Sequence, residues 1–264
     1  MVAASKMRRA QEQVISARPY AEKIRQVLGD LAAQQLGGGD GETHPLLHRR
    51  TVRKSLVVHV TPDRGLCGGL TGNINRLVGQ HIVDAEVPVS VVAVGKKGQD
   101  FMIRSRQDVV GMFGDLGDRP SLADTLPITH LVEGLYSNGD VDRVVLCYSK
   151  FVNTVVQEPT TLQILPVEPP DGLNSVAGAG PIFEPGETEV FGALIPRFLE
   201  MQVYEAVLES IASEQSARMV AMRNATEAAS DMVEALTLDM NKVRQESITN
   251  ELLDLVGGVA ALEG

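Results

Sequence analysis

Tryptophan is absent from these 264 residues, and the aromatic side chains together make up only 4% of the chain. A core so poor in aromatics has to be built from Val, Ile, Leu, Ala and Met, as in coiled coils and small α/β domains. Two cysteines, Cys67 and Cys147, are too few for a disulfide framework or a cysteine metal cage. The histidines (His44, His48, His59, His81 and His130) lack metal-ligand spacing, and Pro45 separates the two nearest ones. A phosphate loop needs Gly-Lys-Ser/Thr, which is missing, as are the Gly-x-Gly-x-x-Gly fingerprint and the Gly-x-Ser-x-Gly elbow. No window of about 20 apolar residues occurs, so no bilayer span is expected, and no apolar h-region suggests a secretory leader. The expectation is a reduced, soluble, cytoplasmic protein. A formal charge of −10 argues against a general nucleic-acid binder, although basic residues gather early, at Lys6, Arg8 and Arg9 and again at Arg49, Arg50, Arg53 and Lys54.

What the chain does have is helical periodicity at both ends. Met7, Ala10, Val14, Ala17, Ala21, Ile24, Leu28 and Leu31 alternate spacings of three and four, a heptad seam that predicts a helix over residues 1–36. Pro19 lies inside it and should kink the helix or remove a hydrogen bond. Gly37, Gly38 and Gly39 stop it. From Glu187 to Leu262 there is one proline, Pro196, and no glycine between Gly192 and Gly257. Leu194, Phe198, Met201, Tyr204, Leu208 and Ile211 keep helical spacing, and Met219, Met222, Ala229, Leu236, Met240 and Val243 continue a looser stripe. A helix of that extent would reach roughly 100 Å, too long to bury its stripe within its own small domain. It needs a partner helix, a surrounding protein, or both.

Between the ends, strands and helices alternate. Strands are expected at 54–60, 87–94, 143–149 and 154–165, with helices at 71–85, 96–106 and 121–136, and a Pro- and Gly-rich loop over 168–186. This βαβα order predicts an α/β fold: a Rossmann-like domain with a mostly parallel sheet, plus an antiparallel coiled coil of the N- and C-terminal helices. The corresponding divisions are 1–36, 37–186 and 187–264. Two separate core helices of a bundle are the alternative to the coiled coil.

The run Asp63-Arg-Gly-Leu-Cys-Gly-Gly-Leu70 follows a strand and precedes a helix, where a phosphate cradle would sit. Without the lysine it reads better as a tight turn that needs glycine. Cys67 stands near a helix N-terminus, but no histidine is placed by sequence as its base. Nothing in the pattern assembles a catalytic, cofactor or metal site. The polar face of the segment 241–252, with Arg244, Gln245, Thr249 and Glu251, belongs to a helix that would fray unless a partner grips it.

Four blocks carry a resemblance: Met1-Val-Ala-Ala-Ser-Lys-Met-Arg-Arg-Ala-Gln11 with Ala17-Arg-Pro-Tyr-Ala21; the loop 63–70; Ser213-Glu-Gln-Ser-Ala-Arg-Met-Val-Ala-Met-Arg-Asn-Ala-Thr226; and Asn241-Lys-Val-Arg-Gln-Glu-Ser-Ile-Thr249. In this order, over nearly the whole chain, they resemble the gamma subunit family of the F-type ATP synthase. The resemblance implies a central-stalk rotor subunit, without catalytic residues or cofactors of its own. It would couple c-ring rotation, driven by proton flow, to conformational changes in the alpha3-beta3 ring. The implied partners are the alpha, beta, epsilon and c-ring subunits. The chain would be membrane-associated only through the complex, peripheral in the F1 sector at the cytoplasmic face of the inner membrane. A coiled-coil scaffold without rotary role and a Rossmann-like nucleotide-binding protein are the alternatives.

Carried over by position, Arg244, Gln245, Thr249 and Glu251 match the part of the family helix that touches catch loops of the ring. Arg218 and Met219 match the passage beside a lower lever of a beta subunit, and Cys67 lies in a segment near that rim. Phe183 and Glu184 resemble the family's Tyr-Glu-Pro near the c-ring and epsilon contact, although the surrounding loop differs. Family members usually carry a further segment before the Met-Val-Ala-Ala-Ser-Lys block. If the chain starts at Met1, antiparallel pairing would end near residue 226, and the free helix beyond should fray.

Overall fold

The computed structural model describes residues 2–35, 45–167 and 186–263. The chain divides into two units, Met1–Val220 and Ala221–Gly264. Five strands form one sheet: β1 (Ser55–Val60), β2 (Val89–Val94), β3 (Asp108–Phe113), β4 (Arg143–Phe151) and β5 (Gln157–Leu165), in the order β3-β2-β1-β4-β5. The helices are α1 (Val2–Gln35), α2 (Leu70–Asp84), α3 (Lys96–Arg104), α4 (Leu122–Ser137) and α5 (Glu187–Glu263). β1 pairs in parallel with both β2 and β4, β2 with β3 in parallel, and β4 with β5 antiparallel.

The alternation of strand side chains sorts the core into two layers. Val57, Val91, Val145 and Cys147 pack against Ile74 and Val78 of α2 and Met102 of α3. On the other face, Leu56, Val58 and Leu146 meet Ile128 and Val132 of α4, Ile24 and Leu28 of α1, and Leu199, Val203 and Val207 of α5. Ala10 and Val14 of α1 continue the contact with Leu208 and Ala212 of α5. Ion pairs Arg18–Glu209 at 3.6 Å and Arg25–Glu205 at 2.7 Å run up one helix and down the other, so α1 and α5 are antiparallel.

The heptad seam of α1 is the buried face as expected: Ala10, Val14, Ala21, Ile24 and Leu28 are buried, Met7 and Ala17 half-buried. The α1 helix continues through Pro19, whose ring is solvent-exposed. In α5 the buried surface is broader than one stripe, because this part of the helix is covered by α1 on one side and the sheet on another. Ile195, Leu199, Val203 and Val207 are therefore buried alongside the expected Phe198, Met201 and Leu208.

Two local expectations need correction. The segment after α3 contains an edge strand, β3, left unassigned in the sequence because only its alternate residues are partly covered and Gly111 interrupts its apolar pattern. The last strand begins at Gln157 rather than Thr154, since the Asn153 side chain accepts from the amides of Val155 and Val156 and forms a turn. Pro127 lies within α4, which starts from a capping box of Ser121 and Asp124.

Asp142 joins the start of β1 to β4. Its carboxylate accepts from the amides of Arg53 (2.8 Å) and Lys54 (3.2 Å), and its own amide donates to the Lys54 carbonyl (2.9 Å). Asp142→Ala leaves two amides without this acceptor and is expected to cost about 1–3 kcal/mol in urea unfolding. Asp142→Asn, which keeps an acceptor oxygen, should recover most of that loss.

Candidate functional site

In a doubly wound sheet, ligands bind beyond the carboxyl ends of the strands, where the strand order reverses. Here the reversal falls between β1 and β4. Val207, Ser210, Ile211 and Glu214 of α5 lie against Val60, Thr61, Val94 and Gly95 at the strand ends, leaving a cavity of about 40 Å³. Ser210 Oγ accepts from the Ser149 amide (3.4 Å) and Ser213 Oγ donates to the Ser149 carbonyl (2.9 Å), which ties the helix to β4. Cofactor pockets run to roughly 300–1,000 Å³, so the space left under α5 at the ends of β1 and β2 is too small for a nucleotide. The helix occupies the ligand's place.

The loop after β1 rises from the same edge. Thr61 donates from its amide to the Val94 carbonyl (2.8 Å), and Asp63 accepts from the amides of Lys96 (2.9 Å) and Asp115 (3.2 Å). Leu66 follows at φ 65°, with its side chain 74% exposed, and Gly68 takes φ 58°. A left-handed conformation costs a leucine on the order of 1–2 kcal/mol. Cys67, by contrast, is 3% exposed, its Sγ 3.4 Å from Thr71 Oγ1. The tight-turn reading of this segment fits its geometry. The other thiol, Cys147, is buried in the sheet, and burial pushes it up to about 12, which removes it as a nucleophile at neutral pH.

Arg218 reaches this loop from α5. Its Nη2 donates to the carbonyls of Gly65 (3.2 Å) and Arg64 (3.5 Å), its Nε to Gly65 (3.4 Å), and Nη2 lies 2.6 Å from Glu214 Oε1. Burial raises the Glu214 carboxyl above its usual range despite the guanidinium beside it. A second junction sits nearby: Lys6 Nζ of α1 donates to Asp118 at 2.5 Å, and Gln215 Nε2 of α5 to the same carboxylate at 3.4 Å. Sequence reasoning singled out Arg218 and Cys67 but not Leu66, Glu214, Lys6, Asp118 or Gln215. A bulky residue between glycines in the loop was the available signal for Leu66.

The second unit is a different kind of surface. Residues 222–259 of α5 are exposed throughout, including Met232, Leu236, Leu238, Met240, Val243, Leu252 and Leu255. So many large apolar side chains in solvent mark an interaction surface. Arg244, Gln245, Thr249 and Glu251 lie among them, also exposed; Thr249 Oγ1 donates back to the Gln245 carbonyl (2.8 Å). Met219, in the first unit, is half-buried. Phe183 and Glu184 fall outside the described residues. Among the described residues no cluster of metal-ligating side chains occurs, and no helix is long and apolar enough to cross a membrane.

The ATP synthase family model matches residues 1–262. The chain is 53% identical over 265 residues to the ATP synthase gamma chain of Dehalococcoides mccartyi strain CBDB1, covering 99% of this chain and 91% of that one. This chain belongs to the ATP synthase gamma-chain family. The gamma chain of Chloroflexus aurantiacus strain J-10-fl is 45% identical over 266 residues, with 99% of this chain and 91% of that one covered. The fold agrees. A chain in the central stalk and c-ring structure of the Tetrahymena thermophila mitochondrial ATP synthase matches with TM-score 0.64 at 23% identity, over 86% of this chain and 96% of that chain. One from the Euglena gracilis mitochondrial ATP synthase gives TM-score 0.61 at 20% identity, over 98% and 95%. Membership makes the chain a rotor-stalk subunit of an F-type synthase, a non-catalytic part of a peripheral F1 sector whose complex does the catalysis.

Proposed function

We propose that this chain couples rotation of a c-ring to conformational change in an alpha3-beta3 ring, with the epsilon subunit and c-ring at its other contacts, at the cytoplasmic face of the inner membrane. The observation that carries this reading is the apolar surface of residues 222–259, exposed along its whole length on a helix whose earlier turns fill the sheet's ligand crevice. A chain whose helix α5 closes over the strand ends and then runs on as a long uncovered apolar surface is suited to act on other subunits. An asymmetric helix that touches the ring subunits unequally biases each one towards a different state.

Within that surface, Arg244, Gln245, Thr249 and Glu251 are the residues for catch-loop contacts, and Arg218 and Met219 those for a lower lever. Phe183 and Glu184 are the candidates for the c-ring and epsilon end. The joint substitution Arg244→Ala and Gln245→Ala is expected to lower coupled turnover of the assembled synthase by roughly five-fold or more. Stability of the isolated chain should stay within about 0.5 kcal/mol, because both side chains are exposed. Unchanged turnover would remove these two from the coupling contacts.

The direct test is to purify membrane ATPase from the native cells and measure intact mass and subunit stoichiometry. One copy of this chain beside three alpha and three beta subunits is the expected result. Its absence from the complex, or a homodimer of this chain alone, would favour the scaffold reading.

A further inference from the structure

Two acidic residues interrupt the apolar seam between α1 and α5. Glu205 and Glu209, one turn apart on α5, face Arg25 and Arg18 of α1, with Tyr148 and Lys150 of β4 on the sheet side. The two carboxylates are not equally served. Arg25 Nη2 lies 2.7 Å from Glu205 Oε2, and that acidic side chain is 19% exposed. Arg18 Nη2 stands 3.6 Å from Glu209 Oε1, and the Glu209 side chain is only 6% exposed. Its other oxygen, Oε2, is buried without a hydrogen-bond partner among the described residues.

The ionised form of Glu209 therefore fits its place badly. A like charge sits one turn away, the guanidinium is at long range, and one oxygen has exchanged water for nothing. The neutral acid avoids the first two penalties and lessens the third. Burial, and after it the Glu205 carboxylate, hold the Glu209 carboxyl above its usual range; Arg18, the Phe151 amide and Lys150 pull the other way without cancelling the rise. Tyr148, which feels the same two carboxylates, is pushed by burial up to about 12 and stays neutral. Neither α1 nor α5 contains a histidine, so no imidazole on these helices competes with Glu209 in its titration.

We infer that Glu209 makes the grip of α1 on α5 respond to pH: the neutral acid closes the seam, and ionisation loosens it by drawing water to the unpaired oxygen. The closed seam binds the proton more tightly than the open one. Its extra stability is thus complete below the open carboxyl's ordinary 4.5 and is lost as pH rises through the higher value of the closed state. A buried histidine acts with the opposite sign, weakening the fold in acid. The response belongs to this chain's own helices and stands whether or not the rotor reading holds.

Hydrogen exchange on the full chain, with protection corrected for the intrinsic effect of pH, reads the seam directly. Amides of α1 between residues 10 and 25 are expected to lose about five-fold or more of their protection between pH 5 and pH 8. Those of α2, on the other face of the sheet, should not share the loss. Glu209→Gln keeps the shape and cannot ionise, so it should flatten the profile and hold the pH 5 protection at pH 8. Arg18→Gln, at an exposed side chain, removes the nearest guanidinium. It should steepen the fall while leaving the pH 5 level near wild type.

A flat wild-type profile overturns the inference, and so does an equal loss in α2, which marks global unfolding. A fall that survives Glu209→Gln belongs to another carboxyl, such as the raised Glu214 beside Arg218, and overturns it as well. If Glu209→Gln opens the seam at both pH values, Arg18→Gln decides. A steeper fall then supports the response, whereas an equal loss at pH 5 and pH 8 makes Arg18 a plain structural contact and sinks it.

Discussion

Gly95→Ala is expected to destabilise the α/β unit by about 3 kcal/mol or more. Gly95 ends β2 at φ 93°, a backbone conformation that side chains rarely adopt, and a Cβ there would lie 2.0 Å from the Thr61 carbonyl oxygen. That oxygen is main chain, so no rotamer change relieves the clash. Thr61 is also the first residue of the loop that carries Leu66, and its hydroxyl donates to the carbonyls of Val94 (3.0 Å) and Gly95 (3.3 Å). Displacing Thr61 therefore strains the strand end and the loop together. Urea unfolding of the full chain, followed by tyrosine fluorescence, measures the loss. A change below about 1 kcal/mol would mean that the two strand ends separate at little cost, against the packing described.

The second large effect is on acid stability. His59 sits in β1 between two parallel neighbours, wholly buried, and neither ring nitrogen has a hydrogen-bond partner among the described residues. Burial pushes its imidazole down from 6.5 to about 4. At pH 7 the folded ring is neutral and the unfolded ring, with its ordinary value of 6.5, mostly so, which leaves little pH dependence there. As pH falls below 6.5 the unfolded chain takes up a proton that the folded chain refuses, so stability is lost until about pH 4, where the folded ring also titrates. Over that window the loss is on the order of 3 kcal/mol.

In His59→Leu, which suits the apolar layer formed by Val57, Ile74 and Met102, this component should disappear. Carboxylates titrate in both proteins, so the comparison is a double difference: unfolding free energy at pH 7 and pH 4.5, variant against wild type. Equal acid losses in the two would show that His59 finds a proton partner or water in the folded chain.

Much of the fold was legible because its signals are local. The three-four spacing from Met7 to Leu28 marks the face that α1 buries, and the triple glycine at 37–39 marks where the expected helix ends. The four strands read from the sequence are present, since short Val-rich runs between turn residues suit a buried sheet. β3 escaped because an edge strand needs only half its residues covered, and its pattern is correspondingly weak. The direction of β5 was equally invisible, as a strand's own residues do not encode whether its neighbour runs with or against it.

The site was legible in a different way. Arg218 stood out only through its motif, which assigns a contact with another subunit. In the folded chain the same guanidinium is bound to loop carbonyls about 150 positions earlier in the sequence, a partner that no local pattern names. The exposed surface over 222–259, in contrast, follows from the sequence directly: apolar residues with nothing left in a small domain to cover them.

By itself, then, the sequence determined the helices, most of the strands, the family, and the need for a partner along the last part of the chain. Each of these depends on residue spacing or on runs of identity, which are written in order. The tertiary structure decided that α5 fills the sheet's ligand crevice, that Cys67 is buried while Leu66 projects, and that Arg218 clamps its own loop. Those outcomes depend on which distant segments meet, and that is set by how the two core layers close around the sheet.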